Sequence, residues 1–227
     1  KQTLFAEGCR GSLTQTLIKH FKLDEQSARQ TYGLGVKEIW EVDSAHYQRG
    51  LVWHSVGWPL PSNTYGGSFV YHADMNQVAV GFVVGLDYKN PYLDPYQELQ
   101  RFKTHPYMHK LLYGGKRIAY GARALNEGGI QSLPKLTFPG GALIGDGAGF
   151  MNVPKIKGIH TSMKSAMTAA QAIFSSLQTD EIIEAHDYSQ QLQQTWLWKE
   201  LKKVRNIRPG FHAGLLPGLV NAALETY

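Results

Sequence analysis

Apolar positions recur along this chain with two different periods, and the alternation between them outlines the fold. "TLFAEG", residues 3–8, reads as a short buried strand that ends in a glycine turn. "SLTQTLIKHFKL" follows, with Leu13, Leu17, Ile18 and Phe21 on one helical face and Ser12 placed as the N-cap. From Gly35 to about Asp87 the period drops toward two. "VKEIWEV", "LVWHSVGW", "SFVYHAD" and "QVAVGFVVGL" are rich in β-branched and aromatic residues and are separated by Gly, Pro and Asn turns, which predicts an antiparallel sheet. "DPYQELQRFKTHPYMHKLL", residues 94–112, returns to helical spacing and predicts two helices, because Pro106 suits the first turn of a second one. "GKRIAYGARAL" and "KLTFPGGALIGD" are strands again.

The remainder is helical. "TSMKSAMTAAQAIFSSL" places Met163, Ala166, Met167, Ala170, Ile173 and Phe174 on one face, and "EIIEAHDYSQQLQQTWLWKELKKV" follows as a longer helix with Asp180 as its cap. There is no internal repeat and no low-complexity linker. This order describes a mixed α/β chain in which a β-sheet portion is inserted between two α/β pieces.

Composition bounds the picture. At 227 residues, with 43% hydrophobic and 11% aromatic content, the chain can bury a real core as one large domain or two small ones. A net charge of +5 allows attraction to anionic lipid, nucleic acid or an acidic partner, but the basic residues are spread along the chain. The densest stretch, "WKELKKVRNIR" at 198–208, also fits a solvated helix end. Cys9 is the single cysteine, which excludes a disulfide framework, a zinc set and an iron–sulfur ligand set within the chain and fits a reducing compartment; an unreactive buried thiol in a turn is its plainest role. The start lacks a signal-peptide pattern, and no apolar run reaches the roughly 18 residues of a spanning helix. "FHAGLLPGLVNAAL", residues 211–224, is uncharged and apolar, which suits a buried segment, a dimer contact or a surface dipping into a bilayer.

Candidate chemistry concentrates in one place. "ALIGDGAGF" is a buried strand running into a glycine-rich turn, where Gly145, Gly147 and Gly149 would let backbone approach a ligand and Asp146 could accept hydrogen bonds from hydroxyls. The Ser162–Phe174 helix aims its N-terminal N–H groups back to the same place, suiting a phosphate or a polarised ring carbonyl. The same glycines also fit a tight strand-to-helix turn, and nothing in the chain matches G-x-G-x-x-G. "TYGGSF" reads by itself as a β-turn between strands, although its two glycines with Trp58, Tyr65 and Phe69 also suit a flat apolar ring. His105 and His109 have i, i+4 spacing, but no carboxylate follows the first and Pro106 interrupts the turn, so they read as a surface pair. "YGGKR" is not a phosphate-binding loop, and no G-x-S-x-G elbow exists.

The longer stretch is more specific than its glycines. "GDGAGFMNVPKIKGIHTSMKSAMTAA" resembles the second flavin-binding motif of electron transfer flavoprotein–ubiquinone oxidoreductases, and "YGARALNEGGIQSLPKLTFPGG" resembles the segment just upstream of it. "LFAEGCRGSL" is similar to that family's strand and turn after the first flavin-binding region, and "GWPLPSNTYGGSFVYH" to its quinone-site segment. The resemblance runs in order through essentially the whole chain. It implies an α/β (α+β) fold: part of a Rossmann-like, glutathione-reductase/hydroxylase-like FAD domain at 1–33 and 120–180, an inserted antiparallel-sheet ubiquinone domain at 34–119, and a helical segment with an apolar tail at 181–227.

The resemblance also implies roles. Glu7, Gly8, Gly145, Asp146, Gly147, Ala148, Gly149, Asn152, Val153 and Gly158 would contact FAD, and Tyr65, Gly66, Gly67 and Phe69 would line ubiquinone. Phe211, Leu215, Leu216, Leu219 and Val220 would make a peripheral membrane contact, with Arg205 and Arg208 meeting lipid head groups. No side chain is expected as a proton-transfer catalyst. The partners implied are electron transfer flavoprotein and ubiquinone, without nucleic acid, on the cytoplasmic face of a bacterial inner membrane or the matrix face of a mitochondrial one. The family's N-terminal dinucleotide fingerprint and the four cysteines of its 4Fe–4S cluster are not in this sequence, so the resemblance implies an internal piece of a longer protein. Two further readings are a flavoprotein reductase of an isoprenoid lipid and an inactive quinone- or lipid-binding module.

Overall fold

The computed structural model describes residues 1–178 and 184–226. In chain order the elements are β1 (Thr3–Phe5), α1 (Ser12–His20), β2 (Tyr32–Glu41), β3 (Val52–Val56), β4 (Gly66–His72), β5 (Gln77–Gly85), α2 (Pro95–Lys103), α3 (Pro106–Leu112), β6 (Lys116–Asn126), β7 (Thr137–Phe138), β8 (Gly141–Leu143), α4 (Gly145–Ala148), α5 (Ile159–Leu177), α6 (Asp187–Gln193), α7 (Trp196–Lys203), α8 (Ile207–Gly210) and α9 (Leu215–Thr226). They divide into two compact units: Lys1–Thr31 with Asn126–Gly210 and the residues from Gly218 on, and Tyr32–Leu125 with Phe211–Pro217.

The first unit is built on a three-stranded sheet ordered β1-β8-β7, in which β1 and β8 run parallel and β7 antiparallel to β8. Its core brings Phe138, Ala142, Leu143 and Phe150 against Ala169 and Ala172 of α5, Tyr188 and Leu192 of α6, and Leu197 and Leu201 of α7. Three expectations change here, the first at the β1–α1 entry to the unit. The β1 strand is only partly buried, with Leu4 exposed. Helix α1 is not capped by Ser12, which is its first helical residue; the Glu7 carboxylate accepts the Leu13 and Thr14 N–H groups and the Thr14 hydroxyl instead. Those bonds turn Thr14 inward and leave Leu13 58% exposed.

The buried face of α5 is the second surprise. Thr161, Ser165, Thr168, Ala169, Ala172 and Ile173 point inward, whereas Met163, Met167 and Phe174 are 62–66% exposed. Of the face that hydropathy predicts, only Ile173 is buried, with Ala166 packed partly against the core. The inward hydroxyls are satisfied by their own helix, Ser165 donating to Ser162 O and Thr168 to Lys164 O, so their burial strands no donor. Their small size lets α5 approach the turn at Gly145, whose N–H donates to Ser165 Oγ at 2.9 Å. The third change concerns the helix expected over 181–204. Asp180 lies outside the described residues, and within them the segment is two helices, α6 and α7, broken where the Thr195 hydroxyl donates to Leu192 O.

The second unit follows the alternation closely. Its five strands are ordered β3-β4-β5-β2-β6, with β3–β4, β4–β5 and β5–β2 antiparallel. One face, carrying Val36, Val70, Val78, Val80, Phe82 and Val84, packs on Leu99 and Phe102 of α2 and Met108, Leu111 and Leu112 of α3. Asp94 caps α2 through the Tyr96 and Gln97 N–H groups, and Pro106 opens α3 as expected. Glu38 is a buried charge on this face, paired with Lys103 at 2.8 Å and Arg117 at 3.0 Å.

Candidate functional site

Parallel pairing of β1 with β8 has a direct consequence: both strands deliver their following turns to the same carboxyl edge, the edge at which open α/β sheets take ligands. Ile144 N–H donates to Phe5 O, locking the two exits together. After β1 come Glu7 and Gly8; after β8 come Gly145, Asp146, Gly147, Ala148 and Gly149. Gly145 and Gly149 have φ of +61° and +97°, conformations that a side chain would strain. A Cβ on Gly147 would lie 3.6–3.7 Å from Phe5 O, Glu7 N and Gly8 O, filling the narrow space between the turns. The structure therefore brings Glu7, Gly8 and Gly145–Gly149 together. Glu7 is there as the cap of α1, and those hydrogen bonds hold its carboxyl below the ordinary value. Asp146 is half-buried and accepts from Asn126 Nδ2 at 3.3 Å.

Asn126 is a residue that sequence reasoning passed over. Only 3% exposed, it also donates to the Asp146 carbonyl, while its own Oδ1 accepts the Cys9 thiol at 3.4 Å. Cys9 is buried, as expected of an unreactive thiol. Gln30, likewise unremarked, receives the Gly128 N–H at 2.7 Å and flanks Gly149.

The chain then forms the 150–158 loop. Asn152 and Lys157 exchange backbone hydrogen bonds, Asn152 Oδ1 accepts the Lys155 N–H, and Ile156 sits at φ +53°. Phe150, Met151, Asn152 and Val153 are buried, and Gly158 is the N-cap of α5, with no side chain capping the first turn. The Asn152 amide, expected at a ligand, donates instead to Glu200 Oε1 of α7 at 2.7 Å. The same oxygen receives Lys155 Nζ at 3.2 Å and His160 Nε2 at 3.1 Å, and the His160 ring stacks on Trp196 with an interplanar angle of 6°. Burial opposes it, but His160, Asn152 and Lys155 together hold the Glu200 carboxyl below its ordinary value. The one signal that could have marked Glu200 is that it is the sole acid in "WKELKKVRNIR".

In the second unit, Tyr65, Gly66, Gly67 and Phe69 lie at the start of β4 and just before it. Tyr65 meets Phe211 edge-on at 5.2 Å. Gly67 and Phe69 share the sheet face away from α2 and α3, with Phe69 lying across Gly81. Both glycines have a reason within the sheet. A Cβ on Gly66 would collide with Val83 O and Leu60, and one on Gly67 with Ser55 O, well inside the 3.0 Å that real Cβ atoms keep. On the same unit Leu51, Trp53, Ser55, Val56, Trp58, Phe102, His105 and Tyr107 line an apolar groove of about 540 Å³. His105 caps α3 with Nδ1, and His109 packs on Tyr113.

The apolar tail is mixed. Phe211 and Leu215 are half-buried, whereas Leu216, Leu219 and Val220 are 74%, 40% and 62% exposed. Arg208 does not reach for head groups: it is buried and pairs with buried Glu127 at 3.4 Å, because Ile207 and Arg208 open α8 toward the interior of the first unit. Among the described residues no helix is long and apolar enough to cross a membrane.

Comparison with known proteins bears on both units. Residues 32–125 match the family described as ETF-QO, ubiquinone-binding. The chain is 53% identical, over its full length, to the mitochondrial electron transfer flavoprotein–ubiquinone oxidoreductase of Oryza sativa subsp. japonica, and spans 40% of that protein. Among solved structures, a geranylgeranyl bacteriochlorophyll reductase-like protein from Thermoplasma acidophilum superposes with a TM-score of 0.61 at 18% identity, covering 100% of this chain and 50% of that one. A Klebsiella pneumoniae HpxO variant complexed with FAD gives 0.58 at 14% identity, covering 100% and 57%. These two likenesses show that the chain shares a fold with parts of those proteins. Over its whole length the chain is similar to electron transfer flavoprotein–ubiquinone oxidoreductases, and its five-stranded unit is matched by the ubiquinone-binding domain of that family.

Proposed function

We propose that this sequence forms the ubiquinone-binding part and the second half of the FAD-binding part of an enzyme that passes electrons from reduced electron transfer flavoprotein to ubiquinone. The observation that carries this reading is the match of residues 32–125 to the ubiquinone-binding family within a chain 53% identical throughout to such an oxidoreductase.

The residues present fit FAD: two left-handed glycines, the space that a Cβ on Gly147 would fill, and an α5 first turn without a side-chain cap suit a ribityl chain and a ring carbonyl. Gly145–Gly149, with Glu7 and Gly8 beside them and the Asn152–Gly158 loop beyond, are the proposed contacts. FAD bound there supplies the redox chemistry; the chain's own residues bind it, orient it and exclude water. Tyr65, Gly66, Gly67 and Phe69 are the proposed ubiquinone contacts. The 4Fe–4S cluster of such an electron relay is held by thiolates, and with Cys9 alone here its ligands would come from another stretch of polypeptide. Leu216, Leu219 and Val220, exposed and apolar, are the proposed contact with the inner-membrane surface where ubiquinone is drawn from lipid. The reductase reading has only fold likeness behind it, at 18% identity.

Titration of the purified 227-residue chain with FAD, and separately with a short-tailed ubiquinone followed by tryptophan fluorescence, tests the reading. Saturable binding of both is expected. A folded chain that binds neither would overturn it.

A further inference from the structure

We infer that Glu200 is a positioning residue for the flavin: from α7 it holds the 150–158 loop in the shape that receives the cofactor ring. This rests on the reading of that loop as a flavin contact, and deepens it by naming what sets the loop's conformation.

The loop has little of its own to hold it. Its internal bonds are the Asn152–Lys157 backbone pair and short turns around Val153 and Lys155, while Pro154 removes a donor and Ile156 occupies a left-handed conformation unfavourable to a β-branched residue. Phe150 is anchored in the core, and its carbonyl and that of Gly158 accept the Thr161 hydroxyl at the two ends, but three further side-chain ties converge on one carboxylate. Glu200 Oε1 accepts the Asn152 amide at 2.7 Å, His160 Nε2 at 3.1 Å and Lys155 Nζ at 3.2 Å, joining the start of the loop, its tip and the first turn of α5 to a helix some forty residues on in the chain. Trp196, one turn earlier on α7, stacks on His160 and fixes that ring from its face. Asn152 is fully buried, so removal of its acceptor would leave a buried amide donor unsatisfied, a state that a loop relieves by moving. The Glu200 side chain, by contrast, is 23% exposed and contributes nothing to the apolar core, so its loss should be felt locally.

The test uses the 227-residue chain with Glu200→Ala and with Glu200→Gln, the latter keeping volume and an acceptor oxygen and remaining informative if the alanine variant fails to fold. Amide exchange at Asn152 and Lys157, referenced to β5, reports loop order; FAD titration with the visible circular dichroism of the bound flavin reports positioning. In Glu200→Ala the two amides should exchange at least tenfold faster, FAD should bind at least tenfold more weakly with an altered flavin dichroism, and thermal unfolding should move little. Glu200→Gln should recover most of the exchange protection. Unchanged exchange would overturn the inference, because Glu200 would not hold the loop. Faster exchange with unchanged FAD affinity and dichroism would overturn it differently, since the loop would be held but would not position flavin. Failure of the unaltered chain to bind FAD would overturn the flavin reading itself, while exchange would still decide whether Glu200 orders the loop.

Discussion

The two glycine-rich stretches proposed as ligand contacts are built by opposite means. The Gly145–Gly158 stretch is held by polar ties to residues distant in sequence: Ser165 to Gly145, Asn126 to Asp146, Glu200 to Asn152. The Tyr65–Gly67 stretch is not the β-turn its sequence suggests but the opening of β4, and it is set by exclusion, because its glycines lie where backbone of β3 and β5 leaves no space for a Cβ. Glycine therefore carries different information in the two places. At Gly147 it keeps open a space that belongs to no other atom, whereas at Gly66 and Gly67 the sheet alone demands it. A ligand is consistent with both, and at Gly145 and Gly149 the left-handed backbone already asks for glycine.

The largest effect that could break this comparison is expected from Gly67→Ala. Its Cβ meets Ser55 O, a backbone atom fixed by the β3–β4 ladder, so destabilisation of about 3 kcal/mol is expected in urea unfolding. Gly147→Ala, whose Cβ makes ordinary contacts, is the control: it should leave the unfolding midpoint nearly unchanged and weaken FAD binding. An unchanged midpoint for Gly67→Ala would remove the steric account of that strand start.

An intermediate effect is expected from Asn126→Ala. It strips the buried acceptor of the Cys9 thiol and the donor to Asp146, and a loss of about 1–2 kcal/mol is expected by the same unfolding measurement. A neutral result would mean that polar ties do not hold the first unit's turn.

The smallest effect is one of pH. Burial pushes the His72 imidazole below its ordinary 6.5, with Nδ1 accepting the Gln48 N–H. Unfolded chain then binds the proton more readily than folded chain, so this contribution is complete above pH 6.5 and is lost as pH falls below it. The carboxyls of Glu7 and Glu200 in the first unit are shifted below 4.5 and keep their contribution until pH falls through that range. Amide exchange between pH 7 and 5 should therefore show the sheet unit loosening before the loop unit; the His72→Gln variant should abolish the difference. A sheet unit equally protected at both pH values would contradict the shift at His72.

Much of the second unit was legible along the chain. Alternation located β2 to β5, and Pro106 located the start of α3, because strand pleat and proline geometry are properties of adjacent residues. The Gly145–Gly149 turn was legible as glycines after a strand. Its partners were not: Asn126 and Glu200 stand 20 and 48 residues from the groups they bind, and beyond the lone acid of a basic stretch at Glu200 nothing local distinguishes them from surface polar residues. Arg208 misled for the same reason, since its pairing with Glu127 spans 81 residues and turns a basic flank into a buried ion pair.

The face of α5 draws the boundary most clearly. By itself the sequence determined that residues 161–177 form a helix, which the structure starts two residues earlier, and that glycines end the strand before it, since both follow from backbone preferences within a few residues. Only the tertiary structure decided that Thr161, Ser165 and Thr168 face inward while Met163, Met167 and Phe174 remain exposed. A hydroxyl bonded to its own helix is buried at little penalty, and closeness to the Gly145 turn rewards small side chains over greasy ones. Hydropathy ranks residues one at a time, whereas burial is settled by what each face must fit against.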